Sequence, residues 1–153
     1  MTTPAPNYYQ INRPPDITYV KWGLDRWDTQ PTTSWVDVPD ASIKLDIGSG
    51  TSSYGAYFVA TFSAEALCES PDDNNVLAAT VFFGNKQADP ASGNHRYATA
   101  RGRPEWSSHT LIRTVQFDPS MTRSDVTARV KVVLKSGNAG LQNWLLKVER
   151  YNL

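Results

Sequence analysis

The chain has 153 residues, 40% of them hydrophobic and 11% aromatic, and its 15 basic and 15 acidic residues cancel. This length suits one domain that buries a real core without help from a metal or a disulfide. The neutral balance gives no overall field to attract nucleic acid or an anionic membrane, so we expect neither as a partner. The single cysteine, Cys68, excludes an intramolecular disulfide framework and is interpreted as a small buried apolar residue.

The first 31 residues combine five prolines with many aromatic side chains. Prolines disfavour a helix and favour extended or polyproline-type backbone, yet the aromatic content is too high for a solvated linker. We therefore predict an extended arm over residues 1–31, followed by a β-sandwich domain over residues 32–153. The arm would lie on a surface of its own domain or of a neighbouring subunit. Its contacts would come from five aromatic residues, Tyr8, Tyr9, Tyr19, Trp22 and Trp27.

The start of the chain has neither a basic segment nor an apolar core, so no signal peptide is predicted. No apolar run approaches the length of a membrane span. We expect a protein made in the cytoplasm, which is compatible with later assembly into a virion or an appendage.

Strand candidates follow at regular intervals after the arm, and most alternate apolar with polar residues. The segment 54–64 is the best candidate for a central strand, and 94–100 is short and polar, as expected of an edge strand. The nearest approach to a helix, residues 63–70, is too short to be stable alone. The other candidates are residues 33–38, 42–47, 76–83 and 109–117.

The last thirty residues show the clearest pattern. Residues 125–135 and 141–151 each alternate with a period of two, and the glycine-containing segment 136–140 separates them. We predict an antiparallel hairpin that closes the sandwich. About eight strands and no sustained helical period indicate an all-β fold, an antiparallel two-sheet sandwich with jelly-roll topology.

No catalytic motif is present. Residues 107–109 read Ser-Ser-His and lack the glycines of a nucleophile elbow. We therefore expect a protein that is not an enzyme and that binds no cofactor. A hydrolase using His95 or His109 ranks third, after the two functional hypotheses given at the end of this subsection. Asp72 and Asp73 offer oxygen ligands of the kind calcium prefers, but without EF-hand spacing, so we interpret them as turn residues and predict no metal site. Whether they bind an ion stays open.

One loop region could bind a ligand. Residues 101–106 place two arginines beside a tryptophan, and five tryptophans and seven tyrosines exceed what one core needs. Aromatic faces suit sugar rings, and polar side chains can hold the hydroxyl groups. Trp35 and Trp144 lie on strand patterns and are interpreted as core. The candidate ligand loop consists of Asn94, His95, Arg101, Arg103 and Trp106.

Two segments resemble a known family. Residues 54–65, YGAYFVATFSAE, resemble the glycine–aromatic central strand of complement- and tumour-necrosis-factor-type jelly rolls. Residues 143–151, NWLLKVERY, are similar to the closing strand of bacterial and phage versions. The resemblance covers residues 33–153 and leaves the arm unexplained. It implies a compact jelly roll, frequently a homotrimer, that binds or assembles and does not catalyse.

Two functional hypotheses follow. The first is a non-enzymatic assembly module, a homotrimeric jelly roll that decorates or terminates a larger particle such as a phage capsid, tail or fibre. Its partners would be copies of itself and other structural proteins of the particle. The alternative is a carbohydrate-binding module of lectin type, with glycans as partners of the loop region.

Overall fold

The computed structural model describes residues 10–45, 55–69, 75–100, 105–117 and 126–152, and every regular element in these ranges is a β-strand. None of the described residues belongs to a helix that could cross a membrane. The strands are β1 Ile17–Gly23, β2 Trp27–Thr29, β3 Val36–Leu45, β4 Ala56–Glu69, β5 Asn75–Phe83, β6 Lys86–Gln87, β7 Arg96–Ala100, β8 Ser107–Phe117, β9 Val126–Leu134 and β10 Asn138–Asn152.

These strands form two antiparallel sheets. Sheet A has the order β1-β10-β4-β8, and β2 also pairs with β10. Sheet B has the order β3-β9-β5-β6, and β7 also pairs with β5. The long strands therefore pair in nested fashion, β1 with β10, β3 with β9, β4 with β8 and β5 with β7. This nesting is the jelly-roll arrangement, so the predicted fold class is confirmed.

The core lies between the inner faces of the two sheets. Phe58 and Phe62 of β4 are fully buried, and Phe58 packs against Phe83 of β5 with ring centroids 5.8 Å apart. Trp144 of β10 is buried and packs against Phe62. Strand β4 pairs with β10 on one side and β8 on the other, which confirms its prediction as a central strand. Cys68 is buried, as expected.

The predicted closing hairpin is wrong. Strand β9 pairs with β3 and β5 in sheet B, whereas β10 pairs with β1, β2 and β4 in sheet A. The short connection at residues 135–137 therefore crosses from one sheet to the other. A period of two shows that each strand buries one face, but it carries no information about which strand lies beside it.

The first 31 residues contribute two strands to the sandwich. Strand β1 pairs with β10 over its whole length, and β2 pairs with residues Ala139 to Leu141 of the same strand. Residues 17–29 therefore lie on their own domain as the edge of sheet A. The division of the chain at residue 31 stays a prediction.

Residues 63–69 continue β4 as a strand up to Glu69, in agreement with the expectation that this segment is too short for a stable helix. Two other local expectations differ from the structure. The two strands expected at 33–38 and 42–47 are one strand, β3, whose register shifts beyond Asp37 and whose Asp40 has φ 64°. Trp35 is only partly buried, and its ring meets the Phe82 ring at 6.2 Å in an edge-on contact.

Candidate functional site

The outer face of sheet A exposes four large apolar side chains, which we call the outer apolar face. Trp22 of β1 lies opposite Leu145 of β10, and their exposed fractions are 66% and 39%. In the next cross-strand row, Val20 of β1 and Ile112 of β8 stand at the two edges of the sheet, 47% and 56% exposed. Between them lie Lys147 and Thr61. The face is thus apolar along β1 and mixed toward β8.

A β-bulge in β10 turns Leu145 outward. Leu141 and Trp144 are both buried although they are three residues apart, because the register of β10 against β4 shifts between Gln142 and Leu145. The extra residue restores the alternation, with Asn143 at φ 49°. Leu145 then follows Trp144 on the opposite face.

Glu65 fixes this bulge from β4. Its carboxylate accepts hydrogen bonds from Gln142 Nε2 and Asn143 Nδ2, each 3.0 Å long. These two donors hold the pKa of Glu65 below its ordinary value, because they stabilise the ionised form. Glu65 and Arg113, the two charges on otherwise apolar strands, do not pair: in the β4–β8 register Glu65 lies opposite Ser108 and Arg113 lies opposite Ala60.

The aromatic residues predicted to form an assembly arm occupy different environments. Tyr19 and Trp27 are partly buried and pack against the core of their own sandwich. Trp22 is the most exposed of the three. Tyr8 and Tyr9 lie outside the described residues. The role of these five residues in assembly stays a prediction, and Trp22 is the described member best placed to reach another subunit.

The residues predicted as a ligand loop make two separate sets of contacts. Trp106 lies under the Arg26 guanidinium at 5.1 Å and covers Gly140 of β10. His95 contacts the Pro90 carbonyl through Nε2 at 2.5 Å, and Asn94 bonds with Ser92. Arg101 and Arg103 lie outside the described residues. Among the described members, the structure places Trp106 against sheet A and His95 beside sheet B. Their role in ligand binding stays a prediction.

His109 has a serine and a tyrosine beside it. Ser107 Oγ lies 2.8 Å from its Nε2, and the Tyr97 ring centroid is 5.5 Å away. Partial burial lowers the pKa of His109, since the charged form is poorly hydrated there. Burial also raises the pKa of Tyr97, whose hydroxyl donates to the His109 carbonyl. Within the described ranges, no hydrogen bond joins His109 to a carboxylate.

A metal centre was not predicted, and the described part of the chain shows no cluster of three or more acidic, histidine or cysteine side chains that could hold an ion. Asp72 and Asp73, whose ion binding was left open, lie outside the described residues.

Sequence reasoning missed a groove between the edges of the two sheets. It has a volume of about 630 Å³ and runs between β7 of sheet B and β8 of sheet A. Arg113 was the available signal, a charge on an otherwise apolar strand. The groove is lined by Ala79, Arg96, Tyr97, His109, Thr110, Leu111, Ile112 and Arg113.

Comparison with known proteins shows similarity of fold only. No protein-family model matches the chain, and no curated protein is similar to it in sequence. Among solved structures, a VP2 subviral particle of infectious bursal disease virus is similar with a TM-score of 0.51 and 10% identity, over 97% of this chain and 36% of that one. The Gx strain of the same virus gives a TM-score of 0.50 and 12% identity, over 97% and 37%. The chain thus spans little more than a third of the proteins it matches.

At 10% and 12% identity, these similarities concern the fold alone. The resemblance to the complement and tumour-necrosis-factor family is not confirmed by them. The two-sheet sandwich that this resemblance implies is confirmed by the strand order.

Proposed function

We propose that this chain is a non-enzymatic structural module of a virus particle, in which copies associate as a homotrimer through the outer apolar face. The observation that carries the proposal is the row Trp22–Leu145, two apolar side chains that point away from the core and lie directly opposite each other. Contiguous exposed apolar surface of this kind is typical of interaction sites.

The energy available from this face is sufficient to matter. The exposed part of the Trp22 indole corresponds to roughly 150 Å² of mostly apolar surface. At about 25 cal/mol per Å², its burial would contribute about 4 kcal/mol before the entropy of association is subtracted. Leu145 and Val20 would add to this in the same contact. The row is therefore able to provide the centre of a modest interface.

The virus-particle part of the proposal is supported by the similarity of fold to the VP2 subviral particle of infectious bursal disease virus. A fold alone does not fix a function, so this support is an analogy. Trimer symmetry follows from the family resemblance in the sequence. A role as decoration or terminus of a capsid, tail or fibre is part of the same proposal, with other structural proteins of the particle as partners.

The mass of the full chain in solution tests the proposal. Size-exclusion chromatography with light scattering should give a mass near three chains of 17.0 kDa each. A chain that remains monomeric up to high micromolar concentration would contradict self-association. A stable dimer would keep the role of the outer apolar face and reject the trimer.

A further inference from the structure

Among the described strands, none pairs with β8 on the side away from β4. At one point this edge is bridged: Thr114 and Asp89 exchange backbone hydrogen bonds of 2.7 and 2.9 Å. In an antiparallel strand every second residue directs its N–H and C=O to the same side. Ile112 and Thr110 therefore direct their backbone groups outward as Thr114 does, and among the described residues no backbone group pairs with them there.

The groove beside this edge is cationic. Arg96 stands on the β7 side and Arg113 on the β8 side, and no aspartate or glutamate belongs to the described residues that line the groove. Arg113 Nε is buried and has no hydrogen-bond partner among the described residues. An arginine without a carboxylate partner in a recess provides a ready site for an anion, because its planar donors match a carboxylate geometrically.

We propose that this groove binds an extended acidic peptide segment, which adds to sheet A as a strand beside β8. The outward backbone groups of Thr110 and Ile112 would provide the ladder, and Arg96 and Arg113 would pair with carboxylates on alternate residues. Recognition of this kind combines main-chain bonds for affinity with side-chain sites for specificity. The proposal does not depend on self-association through Trp22.

The recess fits a peptide better than a sugar. Tyr97, the aromatic side chain of the lining, is 6% exposed and packs against Phe62, so its ring offers no platform for stacking. The open edge from Ser107 to Arg113 spans roughly 20 Å, at about 3.4 Å per residue. That length accommodates about six peptide residues.

Arg113 also occupies part of this edge in the absence of a ligand. Its Nη1 donates to the Ile112 carbonyl at 2.7 Å, which occupies one of the outward acceptors. A charge at an edge strand discourages indiscriminate pairing. An acidic strand would draw the guanidinium away from Ile112 to its own carboxylate and free the carbonyl for the ladder. The groove is thereby selective for acidic partners over neutral ones.

The test uses the full chain and a blocked, fluorescein-labelled peptide of about six residues that alternates valine with glutamate. Two further peptides serve as probes: one with lysine in place of glutamate, and one with glutamate but with N-methyl groups on alternate backbone nitrogens. Affinities are measured by fluorescence anisotropy, and amide shifts of Thr110 and Ile112 by NMR. Arg96→Gln is the variant, since Arg96 is exposed and its removal does not threaten the fold. Lys86→Gln removes an equal charge from exposed β6 outside the groove and is the matched control.

We expect the glutamate peptide to bind the wild-type chain and to shift the amide signals of Thr110 and Ile112. Its affinity should fall about tenfold in Arg96→Gln and stay unchanged in Lys86→Gln. The lysine and N-methylated peptides should bind at least tenfold more weakly. Equal binding of the N-methylated peptide would overturn strand addition, and binding of the lysine peptide would overturn charge selection. No binding at about 1 mM glutamate peptide would reject the groove as a peptide site.

Discussion

Trp22 of β1 lies directly opposite Leu145 of β10, and both side chains point away from the core. In β10 the two neighbouring residues, Trp144 and Leu146, are buried, so the alternation of the strand makes the outward position of Leu145 obligatory. The pair is therefore not a misplaced part of the core. It is exposed apolar surface on a sheet whose inner face is already filled.

Replacement of Trp22 by serine should weaken self-association without unfolding the protein. The indole is 66% exposed, so few intramolecular contacts are lost, while the largest apolar group of the outer face disappears. We expect the apparent dissociation constant of the oligomer to rise by tenfold or more, as for a central aromatic anchor. Analytical ultracentrifugation over a dilution series measures this change.

Leu24→Ser is the matched control for that experiment. Leu24 is 71% exposed, but it follows β1 and is not part of the Trp22–Leu145 row. It should leave the oligomer intact. An equal effect of both substitutions would mean that general surface hydrophobicity, and not this row, drives association.

Removal of residues 1–31 should destabilise the sandwich. The truncation deletes β1 and β2, both of which pair with β10. It therefore exposes the unpaired backbone groups along that edge of β10. We expect aggregation or a large drop in the melting temperature followed by circular dichroism. Removal of residues 1–9 alone spares every described strand and should leave the melting temperature within a few degrees. A cooperative, soluble 32–153 fragment would contradict this and restore the arm as a separable unit.

The alternation of side chains made the all-β sandwich predictable from sequence. Residues 54–64 were predicted as a central strand, and Trp144 was assigned to the core, because a period of two requires one buried face. The partners of β9 and β10 were not predictable, because pairing depends on contacts between residues far apart in the chain. Prolines in the first 31 residues also obscured β1, since an edge strand tolerates the composition that a central strand would not.

The sites were less predictable than the fold. The outward position of Leu145 depends on the β-bulge at Gln142 and Asn143. No local sequence motif predicts this bulge. The groove assembles Arg96 and Arg113 from the edges of different sheets. Their meeting follows from how the two sheets stack, a property of the whole fold and not of either segment.

Gly23→Ala should be strongly destabilising. A Cβ at this position would lie 2.6 Å from Nε1 of Trp144, a rigid indole buried against Phe62. The core must move to admit one methyl group, which costs about 1–3 kcal/mol. Gly93→Ala is the control, because no atom lies within 4 Å of its added Cβ. Urea denaturation gives the free energy of unfolding of each variant. Equal values would show that the Trp144 indole can shift to admit the methyl group at little cost.

His109→Gln should change how stability depends on pH. Burial holds the pKa of His109 below 6.5 in the folded protein, so between that lowered value and 6.5 the unfolded chain binds more protons than the folded one. The stability of the wild type must therefore rise with pH through this interval and level off above about pH 6.5. Arg96 and Arg113 line the same groove as the imidazole. Tyr97, whose pKa is raised by burial, remains neutral through this interval and adds nothing to the slope.

The measurement is the free energy of unfolding in urea at intervals from about pH 5 to about pH 8 for both proteins. Relative to His109→Gln, the wild type should lose stability as the pH falls below 6.5, and the difference should be constant above it. A wild type that gains relative stability on acidification would mean that the folded protein favours the imidazolium. Such a result would mean that an anionic or hydrogen-bond-accepting group beside His109 outweighs its burial.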